Sequence, residues 1–86
     1  MNYLYIFWDD PDDPDGNVQH IAEHDLETAD VEEVLKNPTS MGLSDSTGRT
    51  CIWGYTPERV YIFVVYEEID FDTIRVVTAY DVPEPN

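Results

Sequence analysis

The chain has 86 residues, 42% hydrophobic and 13% aromatic, which suits one small domain and excludes a wholly disordered chain. It carries 19 Asp and Glu against 4 Lys and Arg, a formal charge of −15. Four cations cannot build the basic stripe that phosphate contacts demand, so composition argues against a generic nucleic-acid binder and against anionic membrane surfaces. A basic protein segment is what such a surface attracts.

Residues 3–8 are aromatic and aliphatic throughout. They predict a first strand, with Leu4, Ile6 and Trp8 on one face and Tyr3, Tyr5 and Phe7 on the other. Residues 9–16 (DDPDDPDG) form an acidic loop of turn formers. Asp15 is placed to cap a short helix starting at Gly16 or Asn17, with Val18, Ile21, Ala22 and Asp25 on one stripe and a stop near Asp25. Leu26 anchors a corner. Thr28 reads as the next N-cap, with Asp30, Glu32 and Glu33 near the positive end of the helix dipole. Val31, Val34 and Leu35 recur at i, i+3, i+4 and give this second helix an apolar face. Asn37-Pro38 ends it, Asn taking the left-handed position and Pro refusing to continue.

Residues 39–48 read as a loop with a short strand at 41–43. Residues 49–55, 60–67 and 73–80 predict three strands of an antiparallel meander. The run 60–66 is apolar on both faces, which places it at the centre of the sheet or against a second copy in a homodimer. Residues 81–86 read as a flexible tail. The order β-α-α-β-β-β gives a single α+β domain over residues 1–86, with two short helices on one face of an antiparallel sheet.

Cys51 is the sole cysteine, so no intrachain disulfide forms, in keeping with a reducing cytoplasm. The N-terminus has no basic region or cleavage site of a secretory signal, and no apolar run approaches the roughly 20 residues of a membrane helix. A cytoplasmic protein without a membrane partner is the expectation.

The charge is polarised. Residues 1–35 hold eleven acids and no Lys or Arg. Asp9, Asp10, Asp12, Asp13 and Asp15 are therefore the candidate contact face for a basic protein partner. Asp13-Pro14-Asp15-Gly16 mimics part of a calcium loop, but the first and twelfth ligand positions fall on Pro11 and Ala22, which cannot serve. His20 and His24 have the i, i+4 spacing of a metal pair, with Asn17, Glu23 and Glu27 as nearby third ligands. The same spacing suits a histidine that simply fixes the helix end, and no metal or other cofactor is assigned.

Taken in order, several segments resemble the BrnT family of type II toxins. These are Phe7-Trp8-Asp9, Asn17 leading to Glu23-His24-Asp25, and the acidic helix ending in Asn37-Pro38. Then come Gly48-Arg49, Trp53-Gly54, Val64-Val65-Tyr66-Glu67, and a last strand running from Ile74-Arg75 to Thr78-Ala79-Tyr80. The resemblance covers nearly the whole length. It implies a RelE-like fold, metal-independent endoribonuclease chemistry and a cognate antitoxin. Arg49 and Arg75 would stabilise the phosphorane, and His24 or Tyr80 would move protons. The chain departs from the family where chemistry is concerned. Glu23 stands where the family has Lys, Tyr80 where it has Arg, and an acidic tail replaces a basic one. Two functions follow. One is a protein-binding or regulatory module that keeps the toxin fold without efficient ribonuclease activity. The other is an active ribonuclease toxin, for which RNA is a partner.

Overall fold

Apolar runs of period two and period 3.6 settle into seven elements. The computed structural model describes residues 5–43 and 49–85, and in them places β1 Tyr5–Phe7, α1 Asn17–Ala22, α2 Thr28–Lys36, β2 Ser40–Leu43, β3 Thr50–Tyr55, β4 Tyr61–Asp70 and β5 Thr73–Asp81. The strands form one sheet in the order β1-β5-β4-β3-β2. The architecture is α+β, as expected.

Strands β2 to β5 make the antiparallel meander. The sheet as a whole is mixed, which corrects the fully antiparallel expectation. β1 pairs parallel with β5, Tyr5 opposite Thr73 and Phe7 opposite Arg75. The helices carry the chain to the far edge, and the meander brings β5 back beside β1 running in the same direction. β5 also extends to Asp81, one residue into the expected tail, and Val82 N donates to Tyr61 O.

One sheet face holds the core. Ile52, Ile62, Val64, Tyr66, Ile74, Val76 and Ala79 meet Ile21, Leu26, Val31, Val34 and Leu35, with Ile6 and Trp8 packed at the border. Each such fully buried side chain contributes roughly 1.5–3 kcal/mol. Trp8 also ties β1 to α2, its Nε1 donating to Glu32 Oε2 at 3.0 Å. Leu4 and Tyr3 of the expected first strand lie outside the described residues, as does Gly48.

The helix ends differ from expectation in detail. The N-cap of α1 is Gly16, and Asp15 makes no cap. Asp9 serves instead from across the loop, its Oδ2 accepting the Asn17 N–H at 2.8 Å. The N-cap of α2 is Glu27 rather than Thr28, and Glu27 N donates to Asp30 Oδ2 in a capping box. Asn37 has φ −134°, not a left-handed value, so Pro38 does the stopping while the Asn37 amide reaches back to Glu33.

After α1, Leu26 N donates to Ile21 O and Asp25 N to Ala22 O, with Asp25 at φ 61°. This is a Schellman ending whose left-handed position suits Gly. Asp25→Gly should therefore raise stability by about 1 kcal/mol, read as a higher denaturation midpoint. An unchanged or lower midpoint would mean that the Asp25 side chain stabilises the corner.

Candidate functional site

The acidic loop folds on its own side chains. Asp10 Oδ1 accepts from Asp12 N, and Asp13 Oδ1 from Asp15 N, both at 2.9 Å. Asp10 O and Asp13 O close the same two turns by accepting from Asp13 N and Gly16 N. Pro11 and Pro14 set the first turn position in each. The repeat Asp-Pro-Asp thus encodes two successive Asx turns. Asp10, Asp12, Asp13 and Asp15 are exposed.

Asp9 differs from the other four. Its side chain is 17% exposed and grips Arg75, Oδ2 to Nη2 at 2.8 Å. The same oxygen accepts from Asn17 N, and Asn17 Oδ1 accepts from Asp9 N at 2.8 Å. Asn17 Nδ2 then donates to Phe7 O at 3.0 Å and to Val76 O at 3.1 Å. One buried amide therefore joins β1, α1 and β5. Gly16 makes room for this knot. A Cβ there would lie 2.6 Å from Asp9 Cβ.

The sheet face opposite the core carries a row of rings. Register places Trp53 opposite Phe63 and Phe63 opposite Tyr80. Their centroids are 4.9 and 5.4 Å apart. The row continues onto α1 and its terminal turn. Tyr80 meets His24 at 5.7 Å, and His24 meets His20 at 5.8 Å. This is possible because β1 pairs with β5 only at Thr73–Arg75, leaving α1 to lie along the rest of that edge, where His20 Nε2 is 2.8 Å from Thr78 Oγ1. Trp53, Phe63 and Tyr80 are half-buried.

Beside this row, Tyr55 pairs with Tyr61 at 5.0 Å, and the Arg59 guanidinium lies 5.4 Å from the Tyr55 ring centre. Tyr55 OH donates to Glu84 Oε2 at 3.2 Å. Desolvation and that carboxylate raise the Tyr55 hydroxyl above its ordinary value of 10.0, so it remains a neutral donor at physiological pH. Arg59 closes the β3–β4 turn at φ 70°, a left-handed value that Gly usually occupies.

The four residues assigned to catalysis fall into two groups. Arg49 Nε bonds Glu67 Oε2 at 3.2 Å, and Glu67 lies directly opposite Arg75, which is held by Asp9. His24 and Tyr80 touch each other further along. Five positions of β5 separate Arg75 from Tyr80, about 16 Å of strand. Cations and proton-moving groups therefore do not converge on one point.

Two concavities border these groups. A cleft of about 170 Å³ is lined by His24, Asp25, Asp30, Glu58, Asp81 and their neighbours. A shallow groove of about 600 Å³ runs past Trp8, Val18, Ala22 and Leu26. Among the described residues, no group of three or more His, Cys, Asp or Glu is placed to hold a metal ion. Of the residues near the histidine pair, Glu23 lies 3.8 Å from His20, and the Asn17 amide is taken by Phe7 O and Val76 O. Cys51 is buried. Among the described residues, no helix is long and apolar enough to cross a membrane.

Sequence reasoning missed the bridging role of Asn17, the Arg59–Tyr55 contact and the ring row. The period-two parity of Trp53 and Phe63 was visible in the sequence. Their pairing across strands depended on register. Comparison with protein-family models, with curated proteins and with solved structures finds no match for this chain.

Proposed function

We propose that this chain is a cytoplasmic protein-binding or regulatory module with a BrnT/RelE toxin-like fold and without efficient ribonuclease activity. Its partner is a basic protein, of which a cognate antitoxin is one form. The observation that carries this is the occupation of Arg75 and Arg49 by carboxylates. Such partly exposed pairs are individually weak, about 1 kcal/mol or less. Their position matters more than their strength. Asp9 is pinned by Asn17, so its charge stays beside Arg75 when a phosphate approaches. A phosphorane there would meet a fixed anion, the reverse of the preorganised positive field that phosphoryl chemistry requires. The long-range field of a chain at −15 adds to this.

The ribonuclease reading draws support from one feature, the row Trp53–Phe63–Tyr80, which has the form of a stacking platform for single-stranded bases.

Calorimetric titration with an arginine-serine repeat peptide tests the proposal. Binding is expected at low salt and should weaken about tenfold or more at high salt, with no binding of a glutamate-serine repeat. Absence of binding at low salt would overturn it.

A further inference from the structure

We infer that the ring-bearing face of the sheet is the docking surface, and that it takes an arginine-rich, extended segment of the partner. The inference rests on the protein-binding proposal and deepens it by moving the contact from the acidic loop to the sheet. Ile21 of α1 and Val31, Val34 and Leu35 of α2 are committed to the opposite face, where the core lies. That leaves Trp53, Tyr55, Phe63 and Tyr80 half-buried on the other side. Isolated exposed apolar residues are ordinary, whereas a continuous aromatic row across three strands is a recognition surface.

Charge selects the occupant. A second copy brings another −15, so face-to-face self-association brings like fields together. A nucleic acid needs free cations at its phosphates, and Arg49 and Arg75 on this face already hold carboxylates. A basic polypeptide is drawn by the field of the whole chain, and the cations of this face, Arg49, Arg59 and Arg75, are already engaged by Glu67, the Tyr55 ring and Asp9. Arginine fits better than lysine, because a planar guanidinium stacks on ring faces and also grips carboxylates with two N–H groups. Glu67, paired with Arg49, stands at one end of the face, and Glu84, which accepts from Tyr55, stands beside the rings. The fold already contains one example of the contact. Arg59, at a left-handed turn position, lies over Tyr55.

The two tryptophans supply the test. Trp53 belongs to the ring row, while Trp8 sits on the core side with its indole N–H bound to Glu32. The two indole N–H resonances of uniformly labelled protein are assigned by Trp8→Phe and Trp53→Phe. The protein is then titrated with the arginine-serine peptide, a lysine-serine peptide of equal length and an oligouridine. The expected result is a shift of the Trp53 indole with the arginine peptide, a several-fold weaker response to lysine, and a stationary Trp8 indole. Tyr80→Thr, with its fold verified by the unchanged Trp8 resonance, should weaken arginine-peptide binding at least tenfold. Shifts confined to the amides of residues 10–15 would overturn the sheet-face inference and leave the protein-binding proposal standing. An oligouridine that moves the Trp53 indole more tightly than the peptide would overturn both, as would an arginine peptide that moves nothing.

Discussion

Asn17→Ala is expected to lower the stability of the fold by about 3 kcal/mol. The Asn17 amide is 3% exposed and makes three side-chain hydrogen bonds, to Phe7 O, Val76 O and Asp9 N. Alanine removes the Asn17 partner of two carbonyls and one N–H. A buried orphan of this kind costs about 1–3 kcal/mol, and partial access of water to the Phe7 and Asp9 groups keeps the sum near the lower figure for each. A domain of this size has a total stability of roughly 4–13 kcal/mol, so the loss is a large share. Asn17→Asp should cost more, because a carboxylate would face two carbonyl oxygens in place of the donor. Urea denaturation of the three proteins checks this. A loss below about 1 kcal/mol for alanine would show that the bridge from β1 through α1 to β5 is dispensable.

Gly54→Val is expected to have an effect of similar size by a different route. A Cβ on Gly54 would lie 3.0 Å from Val34 Cγ1, 3.4 Å from Asn37 O and 3.6 Å from Pro38 Cα. Val34 is fully buried and β-branched, and the other two atoms belong to the backbone that ends α2. None of them yields easily. Valine at this point must push α2 off β3, at a cost of about 3 kcal/mol, the upper end for overpacking. The melting temperature should fall by roughly 15 °C. Gly54→Ala should cost about 1 kcal/mol. Combined with Val34→Ala, which has a cavity cost of its own, it should lose less than the sum of the two single losses, because the two sites share one contact. Additive losses in that double variant would contradict the close approach of α2 to the sheet.

These two positions show what sequence can and cannot reveal. The strands and helices were legible because hydrophobic periodicity is local. Val31, Val34 and Leu35 faced inward as their spacing required, and residues 61–66 of the expected run 60–66 lie in the central strand β4. Gly54 was visible as part of a Trp-Gly pair, yet its reason lies in a helix some twenty residues earlier. Asn17 was visible as a helix start, yet two of its bonds reach Phe7 and Val76. The parallel pairing of β1 with β5 had no local signal, since a strand of three residues carries little evidence of its neighbour's direction. The same holds for the site. Arg75 and Asp9 are 66 positions apart, and only the fold shows that one neutralises the other. The acidic loop reads as a contact surface because five carboxylates stand close in sequence, and four of them, Asp10, Asp12, Asp13 and Asp15, are exposed. In the fold Asp9 turns inward, and Asp10 and Asp13 accept from the loop's own backbone.

The most direct measurement is RNA cleavage by the purified protein at low and high salt, beside an Arg49→Ala/Arg75→Ala variant as control. With both arginines held by carboxylates, no cleavage above that of the variant is expected at either salt concentration. Cleavage by the parent that disappears in the variant would contradict the account, making this an acidic ribonuclease whose arginines leave Glu67 and Asp9 to meet the phosphate.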